Sequence, residues 1–185
     1  MSKPSFRPAL VALLTAAALF SACSKDNEDP TPDEDNEQIT TVRYELTPAG
    51  GGSTITAQYR DVDGDGGAAP TITGLTLAPN TTYTGKVVLL DETKNPAEDI
   101  SAEVKQEADE HLLVYTLTGT SVTITRTDKD KNNLEVGLES RLQTAAASAT
   151  AGTLRITLRH QPGTKNGTAT PGDTDVEVDF PITVR

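Results

Sequence analysis

The closing segment of the chain, 173–184, reads DTDVEVDFPITV. Val176, Val178, Phe180, Ile182 and Val184 alternate there with polar or charged neighbours, so an extended chain has one apolar and one wet side. A helix would scatter those five side chains around its circumference, whereas a strand collects them on one face. The same period recurs at 153–160, where Leu154, Ile156 and Leu158 alternate with threonines and arginines, and at 41–47, 53–59, 71–77, 83–90, 111–118, 121–126 and 138–143. Segment 83–90 carries a fuller apolar run, which suits a central strand. Pro181 falls on the outward parity and cannot donate to a ladder, so its strand is expected along a sheet edge or at a bulge.

Between 90 and 111 the period changes. Asn95, Pro96 and Glu98 have the order of a helix start, and Ala97, Ile100, Val104 and Ala108 form a narrow apolar stripe at three- and four-residue steps. A helix of about three turns is expected there. A strand over 100–106 competes with it, because Ile100, Ala102 and Val104 also alternate. About nine short strands, Gly- and Pro-containing turns and one short helix predict a mainly β fold, an antiparallel β-sandwich of immunoglobulin-like arrangement, with a β-barrel as the alternative. Tryptophan is absent and cysteine occurs once, so the core hallmarks of antibody domains are missing and only the architecture is implied. If successive strands run antiparallel, connections 60–70, 91–110, 127–137 and 161–174 gather at one end of the sandwich. Functional side chains favour loops held by a rigid scaffold, so that end is the first place to look.

The other end of the sequence has a different character. Lys3 and Arg7 precede an apolar run from Ala9 to Phe20, followed by the small residues Ser21 and Ala22 and then Cys23, the chain's single cysteine. This is secretory-signal architecture, and the run is shorter than the ~20 residues that span a bilayer. A signal ending in small residues and cysteine resembles a bacterial lipobox, which implies that Cys23 is lipidated; Phe20 stands where Leu is usual. From Ser24 to Gln38 there are seven acidic residues, two prolines and no apolar side chain, too little to offset the entropy of ordering. The expected organisation is therefore a signal peptide at 1–22, a lipidated cysteine and acidic disordered tether at 23–38, and one domain at 39–185. Beyond residue 22, 14 basic side chains face 27 acidic ones, a balance that argues against nucleic acid as a partner.

Three groups of residues could carry chemistry. In DVDGDGG, Asp61, Asp63 and Asp65 alternate with turn-forming residues, as oxygen ligands do when they converge on calcium. The spacing departs from an EF-hand loop, since the twelfth position from Asp61 is Ile72. A second loop offers Asp128, Asp130, Asn132 and, twelfth, Glu139. Calcium is expected at the first loop ahead of the second, and ordinary solvated turns are the competing reading of both. The third group is His111 and His160, which the topology puts at the loop-rich end near Glu107, Asp109 and Glu110; two imidazoles with carboxylates can bind zinc or iron. A strand-end histidine is more often simply hydrogen-bonded. No nucleophile elbow, phosphate-cradling loop, HExxH or CxxC occurs, so a non-enzymatic protein is expected.

The lipobox-like signal, the acidic tether and the segments ITTVRYELTPAGGG, QYRDVDGDG, EVKQEADEH, TLRHQPG and DTDVEVDFPITV together resemble a family of small Bacteroidota surface lipoproteins without an assigned activity. SKDNED after Cys23 resembles the signal that sends such proteins to the cell surface. Some members are labelled "type 1 periplasmic binding fold", an α/β architecture that the strand pattern here contradicts. The resemblance implies a lipid-anchored outer-membrane protein displayed at the surface, and the expected role is a non-enzymatic binding or structural module that meets a protein, peptide or glycan partner through its loop-rich end. The alternative is capture of a metal or cofactor for uptake through His111, His160 and the acidic loops.

Overall fold

The computed structural model describes residues 37–64, 66–148 and 150–185. The signal, Cys23, the tether up to residue 36, and Asp65 of the first acidic loop lie outside the described residues. The elements are β1 (Thr41–Pro48), β2 (Ile55–Arg60), β3 (Thr71–Thr73), β4 (Leu75–Leu77), β5 (Thr82–Asp91), β6 (Glu98–Asp99), α1 (Ile100–Gln106), β7 (His111–Thr118), β8 (Val122–Arg126), β9 (Glu139–Thr144), β10 (Gly152–His160) and β11 (Asp173–Val184). One sheet has the order β3-β2-β1-β5-β9-β8, with β6 added beside β5, and the other the order β4-β11-β10-β7. All pairings are antiparallel except that of β4 with β11. The two sheets do not close into a barrel, and the fold is a sandwich.

The alternating residues form the layer between the sheets. Val42, Tyr44, Leu46, Val87, Leu89 and Leu142 from one sheet meet Leu113, Leu154, Ile156, Leu158, Phe180 and Ile182 from the other in a single cluster. Fully burying each such side chain contributes about 1.5–3 kcal/mol. Tyr44 satisfies its hydroxyl on Ser140 Oγ at 2.8 Å, which makes a polar atom tolerable in that layer.

Two elements differ from the sequence expectation. Segment 71–77, read as one strand, is two strands in different sheets, because the chain crosses at Gly74. A Cβ there would lie 2.3 Å from the Pro181 carbonyl oxygen, so only glycine permits the crossing. Pro181 itself stands just before residues 182–184, the part of β11 that β4 covers. The helix exists but starts four residues later than the Asn95–Pro96 signal suggests. Glu98 and Asp99 pair with Asp91 and Leu90 in extended form, so the first turn cannot form until Ile100, where Asp99 Oδ1 caps Ser101 N at 3.1 Å. The competing strand over 100–106 is not formed.

The four long connections do gather at one end. Gln161 N donates to Glu110 O at 2.5 Å, Arg60 pairs with Glu92 at 2.7 Å, Lys131 pairs with Asp109 at 2.7 Å, and Lys165 Nζ reaches both Ala108 O and Asp130.

Candidate metal centre

His111 opens β7 and His160 closes β10, and the ladder pairs them directly across from each other. Cross-strand neighbours of this kind have Cβ atoms about 5 Å apart, so the rings meet. They stack with centroids 4.7 Å apart and planes 3° from parallel. The sequence expectation places both histidines at this end of the sandwich; the pairing of β7 with β10 brings them into contact.

Asp175 joins them through a fault in the ladder. Leu158 pairs with Val176, but Arg159 pairs with Thr174, so β11 carries one extra residue at 175, a β-bulge. In an unbroken strand Asp175 would share the wet face with Glu177 and Asp179. The bulge turns it inward, and its side chain is 0% exposed. The segment leading into the bulge is pinned against the end of β10. The Arg159 guanidinium donates to Pro171 O, Gly172 O and Thr174 Oγ1. Gly172 adopts φ +74° and lies so close to His160 that a Cβ would come 1.8 Å from the His160 carbonyl oxygen.

The fourth member is Glu37, which the composition assigned to the tether. Its Oε1 lies 2.7 Å from His111 Nε2, and its side chain is only 10% exposed. Asp175 Oδ2 is 3.9 Å from the same nitrogen. Glu37, His111, His160 and Asp175 each present a donor atom within 4.8 Å of the other three. Two imidazoles and two carboxylates form a nitrogen and oxygen donor set suited to zinc or iron(II).

The protonation chemistry of the cluster suits a cation. His111 Nδ1 lies 3.2 Å from the Glu107 backbone carbonyl, which can only accept, so Nδ1 carries hydrogen and Nε2 faces the carboxylates. Such a carbonyl on the far nitrogen is how ligating histidines are oriented. Burial pulls His111 down, but Glu37, the Glu107 carbonyl and Asp175 outweigh it and hold the imidazole above its ordinary value. Burial pushes Glu37 up, and the bond to His111, the charge of that imidazole and the smaller pulls of its own backbone and His160 together outweigh it, leaving the carboxyl below its usual range. For Asp175, burial and then the neighbouring Glu37 charge raise the carboxyl to about 7. Both Asp175 oxygens, Glu37 Oε2 and His111 Nε2 are buried without an aligned hydrogen-bond partner. Buried polar atoms left so are costly, and a divalent ion held by one donor atom from each of the four residues would offset that cost.

The remaining candidates are placed differently. Glu107 contributes its backbone carbonyl, while the residue itself is exposed and its carboxylate is not in the cluster. Glu110 Oε2 stands 4.0 Å from His160 Nε2. In the first acidic loop, Asp61 accepts from Gly64 N and Tyr59 Oη, and Asp63 accepts from Ala68 N, a bond that holds its carboxyl below the usual range. In the second, Asp128 accepts from Gly137 N at 2.8 Å, and Asp130 accepts from Asn132 N, Leu134 N and the Lys165 ammonium. Glu139 opens β9 opposite Lys86. The cation that faces Asp130 is thus a side chain, 2% exposed, that ties the loop to connection 161–172. Among the described residues, neither loop brings three acidic donors as close together as the histidine cluster does.

Set against protein-family models, curated proteins and solved structures, the chain matches none of them.

Proposed function

We propose that the protein is a lipoprotein, anchored through Cys23 in the outer membrane and displayed at the cell surface, whose β-sandwich is a non-enzymatic module that captures a divalent first-row metal ion. The ligands are Glu37, His111, His160 and Asp175. One observation carries this reading: a β-bulge turns a carboxylate into the protein beside two stacked histidines and leaves both of its oxygens without a hydrogen-bond partner. A buried group left so is expected to have a partner, and here the surrounding donors are those of a metal site. The acidity of the chain supports capture as well, since a field of one sign concentrates counter-ions near the site.

Zinc titration of the purified full chain, followed by elemental analysis after dialysis, tests the proposal. One equivalent of zinc should be retained. Asp175→Asn and His160→Gln should each lose about ten-fold or more in affinity, since even groups that merely orient ligands are worth that much. Retention of no zinc by the wild type, or equal retention by both variants, would remove the metal from the account.

A further inference from the structure

The four ligands are not held alike. His111, His160 and Asp175 sit on β7, β10 and β11, three adjacent strands of one sheet whose relative positions are set by continuous ladders. Glu37 stands four residues before β1. Among the described residues, the first backbone hydrogen bonds of this segment belong to Thr40, whose N donates to Leu90 O at 2.9 Å and whose O accepts from Asp61 N. The Thr40 hydroxyl adds bonds to Leu90 O and Glu92 N. Thr40 is therefore the fixed point, and 37–39 form an arm held by the packing of Ile39 on the core and by the approach of Glu37 to His111.

The arm also lines a cleft that reaches the centre. This cleft, of about 390 Å³, is lined by Gln38, Ile39 and Thr40 of the arm together with Tyr59, Asp61, Asp63 and Asp175. Asp175 is the ligand that lines it, so a donor from solvent that enters the cleft reaches the centre beside the arm. The cleft is acidic, so a cation is favoured within it over an anion.

From these placements, and resting on the metal reading above, we infer that Glu37 is the exchangeable ligand of the centre and that metal is loaded and handed on by replacement of its carboxylate. In that step the bond from the metal to Glu37 breaks as a bond to the incoming donor forms. The carboxylate leaves with its negative charge, no electron is transferred, and His111, His160 and Asp175 keep the ion meanwhile. A partner that accepts the ion would present an oxygen or imidazole donor on a projection able to enter the cleft. A structural site is closed by four protein ligands, whereas an exchangeable carboxylate leaves a position that an incoming donor can take.

Zinc-loaded full-length protein, challenged with excess chromophoric chelator in a stopped-flow instrument, tests this. Glu37→Gln should still bind one equivalent of zinc and should release it about ten-fold faster than wild type. Amide exchange at 38–40 should slow on zinc loading in the wild type and stay unchanged in the variant. Asp175→Asn should fail to hold stoichiometric zinc. Release from Glu37→Gln at the wild-type rate, or loss of zinc as complete as in Asp175→Asn, would overturn the assignment of Glu37 while leaving the metal site standing. A wild type that binds no zinc would overturn both.

Discussion

Replacing Asp175 by Asn should stabilise the metal-free protein at high pH and lose that advantage as pH falls. The substitution keeps the shape of the side chain and removes a negative charge that burial, and then the charge of Glu37, make unfavourable. The carboxyl has an ordinary value of 3.8 and is raised to about 7 in the fold. A native state that holds its proton more tightly than the unfolded chain is favoured below the unfolded value, and that advantage is lost as pH rises towards the folded one. The window is therefore from about pH 4 to about pH 7. Three pH units at 1.36 kcal/mol each set the effect at no more than about 4 kcal/mol. A buried amide with unmet hydrogen bonds costs about 1–3 kcal/mol of that. The net gain at pH 8 is about 1–3 kcal/mol, a rise of about 3–9 °C in melting midpoint for a domain of this size. The assay is thermal unfolding of chelator-treated wild type and Asp175→Asn at pH 5 and pH 8. A variant no more stable than wild type at pH 8, or equally stabilised at both pH values, would refute the reasoning. With zinc at a hundred times its dissociation constant the wild type gains about 2.7 kcal/mol and the weaker-binding variant less, so the variant's advantage should shrink.

Two further outcomes are expected. Lys165→Met should lower stability by about 1–3 kcal/mol, because it takes the ammonium from Asp130, which keeps only the Asn132 and Leu134 amides, and from the Ala108 carbonyl; unchanged unfolding of this variant would show the pair to be dispensable. Cys23→Ala should abolish incorporation of labelled palmitate and move the protein out of the membrane fraction, and persistence of either in the variant would argue against the anchor.

The sandwich was legible because most of its strands are half-buried, so a period of two maps directly onto inside and outside. Val178, Phe180 and Ile182 are buried, as their alternation requires, while Glu177, Asp179 and Pro181 are exposed. Where one residue breaks that parity, the pattern misleads. Asp175 reads as outward-facing, and nothing in the alternation marks the bulge that turns it in. Gly74 hides a change of sheet inside what reads as a single strand. Strand direction put the two histidines at the same end, but that they meet depends on β7 and β10 being neighbours, an order the alternation does not reveal. Glu37 was hidden for a different reason. It stands in an acidic run with no apolar neighbour before Ile39, and composition assigns such a run to a solvated tether whatever any one carboxylate contacts. Glu107 was picked for its carboxylate, whereas its part is played by a backbone carbonyl at the helix end, a contribution that no side-chain pattern reveals.

The most direct test of the centre is X-ray absorption at the zinc edge on the loaded full-length protein. The account predicts a first shell of nitrogen and oxygen alone at about 2.0–2.1 Å, with the outer-shell signature of two imidazoles. His160→Gln should reduce that signature to one. A sulfur neighbour at about 2.3 Å, or a shell of oxygen without imidazole, would contradict the assignment of Glu37, His111, His160 and Asp175 as the ligands.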